Sequence, residues 1–295
     1  MLAALTGVGV APARSAPRAV TLAAVGDVFF ARGVARQIDL HGLDYPFEFT
    51  ADILSRYDIA FCNLECALST RGTPLIKRYL FRADPADAHA LSAAGFDVIS
   101  LANNHTIDFG PLALMDTVNA VEDAGMIPVG TRPAASDDSG ARFIEKNGLK
   151  VGFLAFSDFD SGADESLHGI PVIMQVDPDR LPAQVADAKR NCDVLVVSMH
   201  WGVDYMPLWT GRQRAIARMC IDNGADLVLG HHPHVLQEVE IYKEKPIVYS
   251  MGGFVWDSSS RGADRSAIFV FELQPSSAAL VDTIPITIED CRPVP

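Results

Sequence analysis

The run Ala225-Asp226-Leu227-Val228-Leu229 passes directly into Gly230-His231-His232-Pro233-His234. An apolar run closed by Gly reads as a buried strand, so the histidines stand at its carboxyl end, where open α/β sheets bind ligands. Pro233 fixes its own φ and pushes His232 toward an extended conformation. Residues two apart in an extended backbone project to the same side, which predicts that His232 and His234 converge on one point. Two neutral imidazoles aimed at one point suit a transition metal. A polar loop that happens to hold histidines is the competing account, and three histidines in four positions after a buried strand weigh against it.

Four more apolar runs end in residues of ligand type. Asp27 follows 21–26, Asn63 and Glu65 follow 59–62, Asn103-Asn104-His105 follow 96–102, and His200 follows 193–199. If these strands lie side by side, all five clusters meet along one sheet edge. Carboxylates, imidazoles and an amide suit Mn, Fe or Zn better than Ca, which prefers oxygen alone. The candidates outnumber the ligands of one four-coordinate ion. A pair of ions about 3.5–4 Å apart, bridged by a carboxylate, accommodates them.

Between these runs the pattern alternates. Helices are expected over 48–56, 86–94, 111–124, 179–190 and 210–223, with Asp84-Pro85 and Thr210 as starts and Gly95, Gly125 and Gly224 as stops. Asn147-Gly148, between 142–146 and 149–156, is a type I′ hairpin signal. Further β-like runs cover 127–129, 246–255, 266–273 and 279–288. Alternation argues for parallel βαβ units and the hairpins for mixed sheets. The expected fold is α/β, a four-layer αββα sandwich of two mixed sheets with helices outside.

The net charge of −13, with no Lys/Arg-rich run, argues against nucleic acid and against attraction to anionic membranes. An anionic substrate must then be held by metal or by local arginines. Arg82, with Lys77-Arg78 nearby, is a candidate to orient one, as is Asn103; a solvated basic face is the plainer account of the cluster. Trp201 and Trp209, near His200, are candidates for a substrate groove or for core. The five cysteines are scattered, show no disulfide framework, and offer only a weak Cys62-x₃-Cys66 spacing. Residues 1–18 resemble the apolar and cleavage regions of a secretory signal without its basic start. Export to the periplasm or beyond is the expectation, and a cytoplasmic chain with a disordered tail the alternative. Residues 19–295 carry no linker or internal repeat and read as one domain. No other stretch approaches the ~20 apolar residues of a membrane span.

Taken in order, Gly26-Asp27, Asn63-Leu64-Glu65, Asn103-Asn104-His105, His200-Trp201-Gly202 and Gly230-His-His-Pro-His-Val235 resemble the CapA (PGA_cap) capsule-synthesis family, relatives of the calcineurin-like metallophosphoesterases. Tyr249-Ser-Met-Gly252 is similar to a further family segment. The resemblance implies that Asp27 and His234 serve one ion, that Asn104, His200 and His232 serve another, and that Glu65 bridges them. It implies a role for His105 as proton donor or oxyanion stabiliser, and leaves His231 as a loop residue. Phe29 stands where metallophosphoesterases carry the His of Asp-x-His, and Gly253 where the family usually shows Asn. The implied activity is metal-dependent hydrolysis of a phosphoester or of an acidic polymer such as poly-γ-glutamate. A non-catalytic polymer-binding accessory role, or epimerisation at the same site, is the alternative.

Overall fold

The computed structural model describes residues 19–136, 139–162, 166, 168–257 and 260–295. The signal-like segment lies outside them. Two mixed sheets face each other. In the first, the order is Arg292–Val294, Ser277–Glu289, Arg265–Gln274, Val20–Val28, Ile59–Leu64, Val98–Ser100 and Ile127–Val129, and Gly253–Val255 joins the end of Val20–Val28. The last four strands of that series run parallel to one another. The second sheet runs Val239–Tyr242, Lys245–Val248, Leu227–His231, Val194–His200, Leu149–Ser157 and Arg142–Lys146, with its four central strands parallel.

The two-residue period of the strands builds the layers. Leu22 and Ala24 face inward and join Val151, Phe153, Val194, Val196, Leu227 and Leu229 in the core between the sheets. Phe61 stacks on Phe153 across that gap at 5.9 Å. The alternate residues Ala23 and Val25 face outward, against Val34, Leu54, Leu91 and Val121 of helices on the first sheet. Leu195 and Val197 likewise meet Leu181, Val185 and Ile216 of the helices Leu181–Lys189 and Gly211–Asp222. The result is the four-layer αββα sandwich.

Local signals explain most boundaries. Asn147 and Gly148 both have positive φ, 53° and 80°, as a type I′ turn requires. Thr210 and Gln213 form a reciprocal capping box at the start of Gly211–Asp222. Three expectations change. The 48–56 helix shrinks to Ala51–Leu54, because Pro46 sets a 3₁₀ turn at Tyr45–Phe47 and Thr50 leaves helical φ,ψ before the next turn begins. A helix at Arg32–His41 carries no sequence signal: its N-cap is Ala31, with no side-chain cap and no acid in the first turn. The 246–255 run is two strands in different sheets, so the chain crosses the sandwich at 249–252.

Candidate metal centre

The crossing draws the two sheets together at their carboxyl ends. A Cβ at Gly26 would lie 1.8 Å from the Gly252 carbonyl oxygen, and one at Gly230 would lie 2.0 Å from that of Tyr249. Only glycine permits both approaches. Asp27 then donates its N–H to Gly252 O at 3.0 Å and sits fully buried at the mouth of the sandwich. The five clusters do not share one sheet edge as expected. Asp27, Glu65 and Asn104 come from the first sheet, and His200, His232 and His234 from the second, so they meet across the gap.

The convergence of His232 and His234 also has another cause than extended backbone. Their φ values are +94° and +56°, left-handed conformations that cost non-glycine residues on the order of 1–3 kcal/mol and persist where their surroundings over-determine them. Here the His232 N–H donates to Asp27 Oδ2 at 3.2 Å, and His234 Nδ1 lies 2.9 Å from the same oxygen. The His234 ring stacks on Trp256 at 4.0 Å. Trp256 also accounts for Gly253, where a Cβ would lie 2.9 Å from the Trp256 side chain.

Glu65 lies at the centre. It is fully buried, and among the described residues neither carboxylate oxygen has a hydrogen-bond partner. Around Oε1 stand His234 Nε2 at 3.7 Å, His200 Nε2 at 3.8 Å and His105 Nε2 at 3.9 Å. Two sets of ligand atoms close enough to hold an ion share it: Glu65, His232 and His234, and Asp27, Glu65 and His200. Asn104 Oδ1, 2.9 Å from His200 Nε2, adjoins the second set. Ligands about 2.0–2.2 Å from one ion stand roughly 3.0–3.5 Å apart, so Glu65, His234 and His200 are within about half an ångström of that spacing. An orphaned buried carboxylate beside imidazole nitrogens fits a divalent cation. These sets group His232 with His234 and Asp27 with His200, while Asp27 Oδ2 also lies 2.9 Å from His234 Nδ1, the pair expected to serve one ion.

Electrostatics agree. Burial holds His200 well below the usual imidazole range, and pulls His232 down to about 3, aided by the neighbouring His234. Both imidazoles are therefore neutral at pH 7, the form able to bind a metal. Burial pushes Asp27 up, but the imidazoles of His231 and His234 pull it back well below the carboxylate range. Burial and the charge of Asp27 push Glu65 well up.

His105 stands over this group. Its Nδ1 lies 2.7 Å from Asp108 Oδ2, and its ring stacks on Phe81 at 4.1 Å. Asp108 is itself fully buried, accepts from the Phe81 N–H at 2.7 Å, and pairs with Lys77 Nζ. Asp108 and Trp256 went unread in the sequence. For Asp108 the available signal was its place three residues after His105, within reach of the same ring.

The other expected positions fall elsewhere. The Asn103 side chain is buried and spent on structure, its Oδ1 accepting from the N–H groups of His105 and Thr106 and its Nδ2 donating to Leu64 O. Trp201 packs in the outer core and donates Nε1–H to Tyr249 O at 2.9 Å. Arg82 lies over the Phe109 ring, 3.5 Å from its centroid, and donates to Arg71 O. None of the three lines the cavity of about 420 Å³ that opens on the centre; its walls include Arg32, Lys77, Arg78, Asp204, Tyr205 and His234. Lys77 and Arg78, expected beside Arg82 as a basic cluster, form the basic side of the cavity together with Arg32. His231 is no loop residue: it ends the strand Leu227–His231, fully buried, with Nδ1 3.4 Å from Asp27 Oδ1. Cys62 and Cys66 are buried in the core as free thiols.

A family model described as bacterial capsule synthesis protein PGA_cap matches residues 21–258. The capsule biosynthesis protein CapA of Bacillus anthracis is 33% identical over 285 residues, covering 94% of this chain and 69% of that protein. The PGA biosynthesis protein CapA of Bacillus subtilis (strain 168) is 29% identical over 274 residues, covering 92% and 72%. The crystal structure of a 5′-nucleotidase precursor from Thermus thermophilus shares the fold, with a TM-score of 0.51 and 15% identity over 94% of this chain and 56% of that one. The fold is thus metallophosphoesterase-like. By the extent of the model match and the identity to its capsule relatives, the chain belongs to the bacterial capsule synthesis PGA_cap family.

Proposed function

We infer that this protein is a metal-dependent hydrolase serving capsule biosynthesis, acting on a phosphoester or on a linkage in an acidic polymer such as poly-γ-glutamate. The observation that carries the reading is Glu65, a buried carboxylate with both oxygens unpartnered, shared by two ligand sets. Asp27, Asn104, His200, His232 and His234 would hold two divalent ions (Mn, Fe or Zn) with Glu65 between them. Bound there, such ions polarise the electrophile's oxygen and make water nucleophilic near neutral pH.

The chain's own residues supply the rest. Asp108, an acceptor-only carboxylate, keeps a proton on His105 Nδ1 and turns Nε2 toward the centre. Burial, opposed by Asp108, lowers the His105 pKa, so the ring rests neutral, able to take a proton at Nε2 and return it to a leaving group. Such positioned transfer contributes roughly 10²–10⁴-fold. Lys77 and Arg78 line the approach. Among the described residues the Arg78 guanidinium has only a ring contact, with Tyr79 at 5.0 Å, leaving its donors for an anionic substrate in an otherwise acidic molecule.

The test is Mn²⁺-dependent hydrolysis of a generic phosphodiester and of poly-γ-glutamate, with His232→Ala and His105→Ala as controls. Turnover lost in both variants is the expected result. No turnover of either substrate, with metal bound stoichiometrically, would instead favour a polymer-handling accessory role. Export is the setting that suits capsule assembly, and a mature amino terminus near residues 16–20 in the native host is its test.

A further inference from the structure

Asp204 belongs to none of the ligand motifs, yet it faces the centre. It lies four residues past His200 on an exposed turn, with its side chain 62% exposed. Its Oδ1 is nonetheless 3.5 Å from His232 Nε2 and 3.7 Å from His234 Nε2. Backbone holds it there: the Tyr205 N–H donates to Pro233 O at 2.8 Å, and Tyr205 itself is left-handed at φ 57°. This pins the turn against the His-Pro-His segment.

The two imidazoles it faces belong with Glu65 to one of the two ligand sets, and Glu65 Oε1 lies 3.7 Å from His234 Nε2. In a four-coordinate site with bonds of about 2.0–2.1 Å, neighbouring ligand atoms are about 3.3 Å apart. The separations of 3.5, 3.7 and 3.7 Å lie close to that spacing. No donor comes from Phe29, which is fully buried and packed on Trp256 and Phe81 at 4.4 and 5.0 Å between ring centroids.

We propose that Asp204 is a fourth protein ligand of the ion held by Glu65, His232 and His234, entering from the cavity side. The inference rests on the metal-centre reading above. Being largely exposed, Asp204 is the one ligand of that set that can leave without opening the core. This makes it the ligand that an anionic substrate group displaces.

The test uses Co²⁺ as the probe, with the wild type, Asp204→Asn, Asp204→Cys and Val203→Cys. Val203 is its exposed neighbour and serves as control. By equilibrium dialysis Asp204→Asn should bind one Co²⁺ on the order of tenfold to a hundredfold more weakly. At saturating Co²⁺, Asp204→Cys should show a thiolate-to-cobalt charge-transfer band absent from the wild type and from Val203→Cys. Only direct ligation produces that band, so a merely orienting role for Asp204 would not. Co²⁺ bound to Asp204→Cys without the band overturns the proposal and leaves the metal centre standing. Failure of the wild type to bind Co²⁺ overturns both, and loss of binding in His232→Ala confirms which site is being read.

Discussion

Glu65→Gln separates a metal ligand from a merely packed carboxyl group, because the two states of the protein should respond with opposite sign. Without metal, the Glu65 oxygens are buried and have no donor, and burial together with Asp27 raises the pKa. An unsatisfied buried polar group costs on the order of 1–3 kcal/mol, and an isosteric amide removes the ionisable part of that cost. The metal-free variant should therefore melt no lower than the metal-free wild type. With metal the ranking reverses. An ion at about 100 times its dissociation constant adds roughly 2.7 kcal/mol, which raises the Tm of a chain this size by about 5 °C. The amide supplies no anion for the two ligand sets to share, so most of that rise should vanish. Thermal melts with and without Mn²⁺ read both halves. A variant that gains the full wild-type rise, or that melts several degrees lower without metal, would refute the reasoning.

Three further outcomes follow from contacts already described. Asp108→Asn should lower kcat about 10²-fold, since Asp108 holds the His105 ring, and because it also pairs with Lys77 on the cavity wall KM should rise as well; steady-state kinetics on the phosphodiester decide it, and a KM-only effect would count against the dyad. Trp201→Phe leaves the Tyr249 carbonyl unpaired in the outer core and should cost about 1–3 kcal/mol in urea melts, with KM unmoved. The metal-free protein should lose stability as pH falls below about 6.5, because folded His232, held down at about 3, and His200 stay neutral while the unfolded chain takes up protons. Glu65 and Asp87, raised to about 6, act the other way, holding when folded protons that the unfolded chain releases, but they are two groups against three, since His105 is lowered as well. Urea melts across this range should slope upward with pH, and a flat profile would contradict the neutral-ligand assignment.

The ordered motifs are local chemistry, and local chemistry is legible. Gly before Asp27, the polar stop after 59–62, and histidines after two buried runs each mark a strand end, since an apolar run cannot place a charged or imidazole side chain inside the core without a partner. The Asn147-Gly148 turn and the Thr210 cap are legible for the same reason: their hydrogen bonds close within a few residues. The Arg32–His41 helix was not, because packing against Val34's neighbours on the first sheet stabilises it and no capping side chain announces it. Arg82, Asn103 and Trp201 adjoin the site in sequence, but side-chain direction takes Arg82 and Trp201 away from it, while Asn103 donates to Asn63, which itself donates to Asp27.

Sequence alone determined the α/β class, the family and the set of residue types at the strand ends, because strand periodicity and polar termination are written in neighbouring positions. Only the tertiary structure decided which of those residues stand close enough to hold an ion together. The chain crosses between sheets at 249–252, and the approaches at Gly26 and Gly230 close the sandwich, so ligands from two sheets face one another across it. The left-handed turn at His232 and His234, the orphaned Glu65 and the arrival of Asp204 all depend on that closure. No local pattern encodes it, because the contacts that hold it join Asp27 to residues more than two hundred positions away.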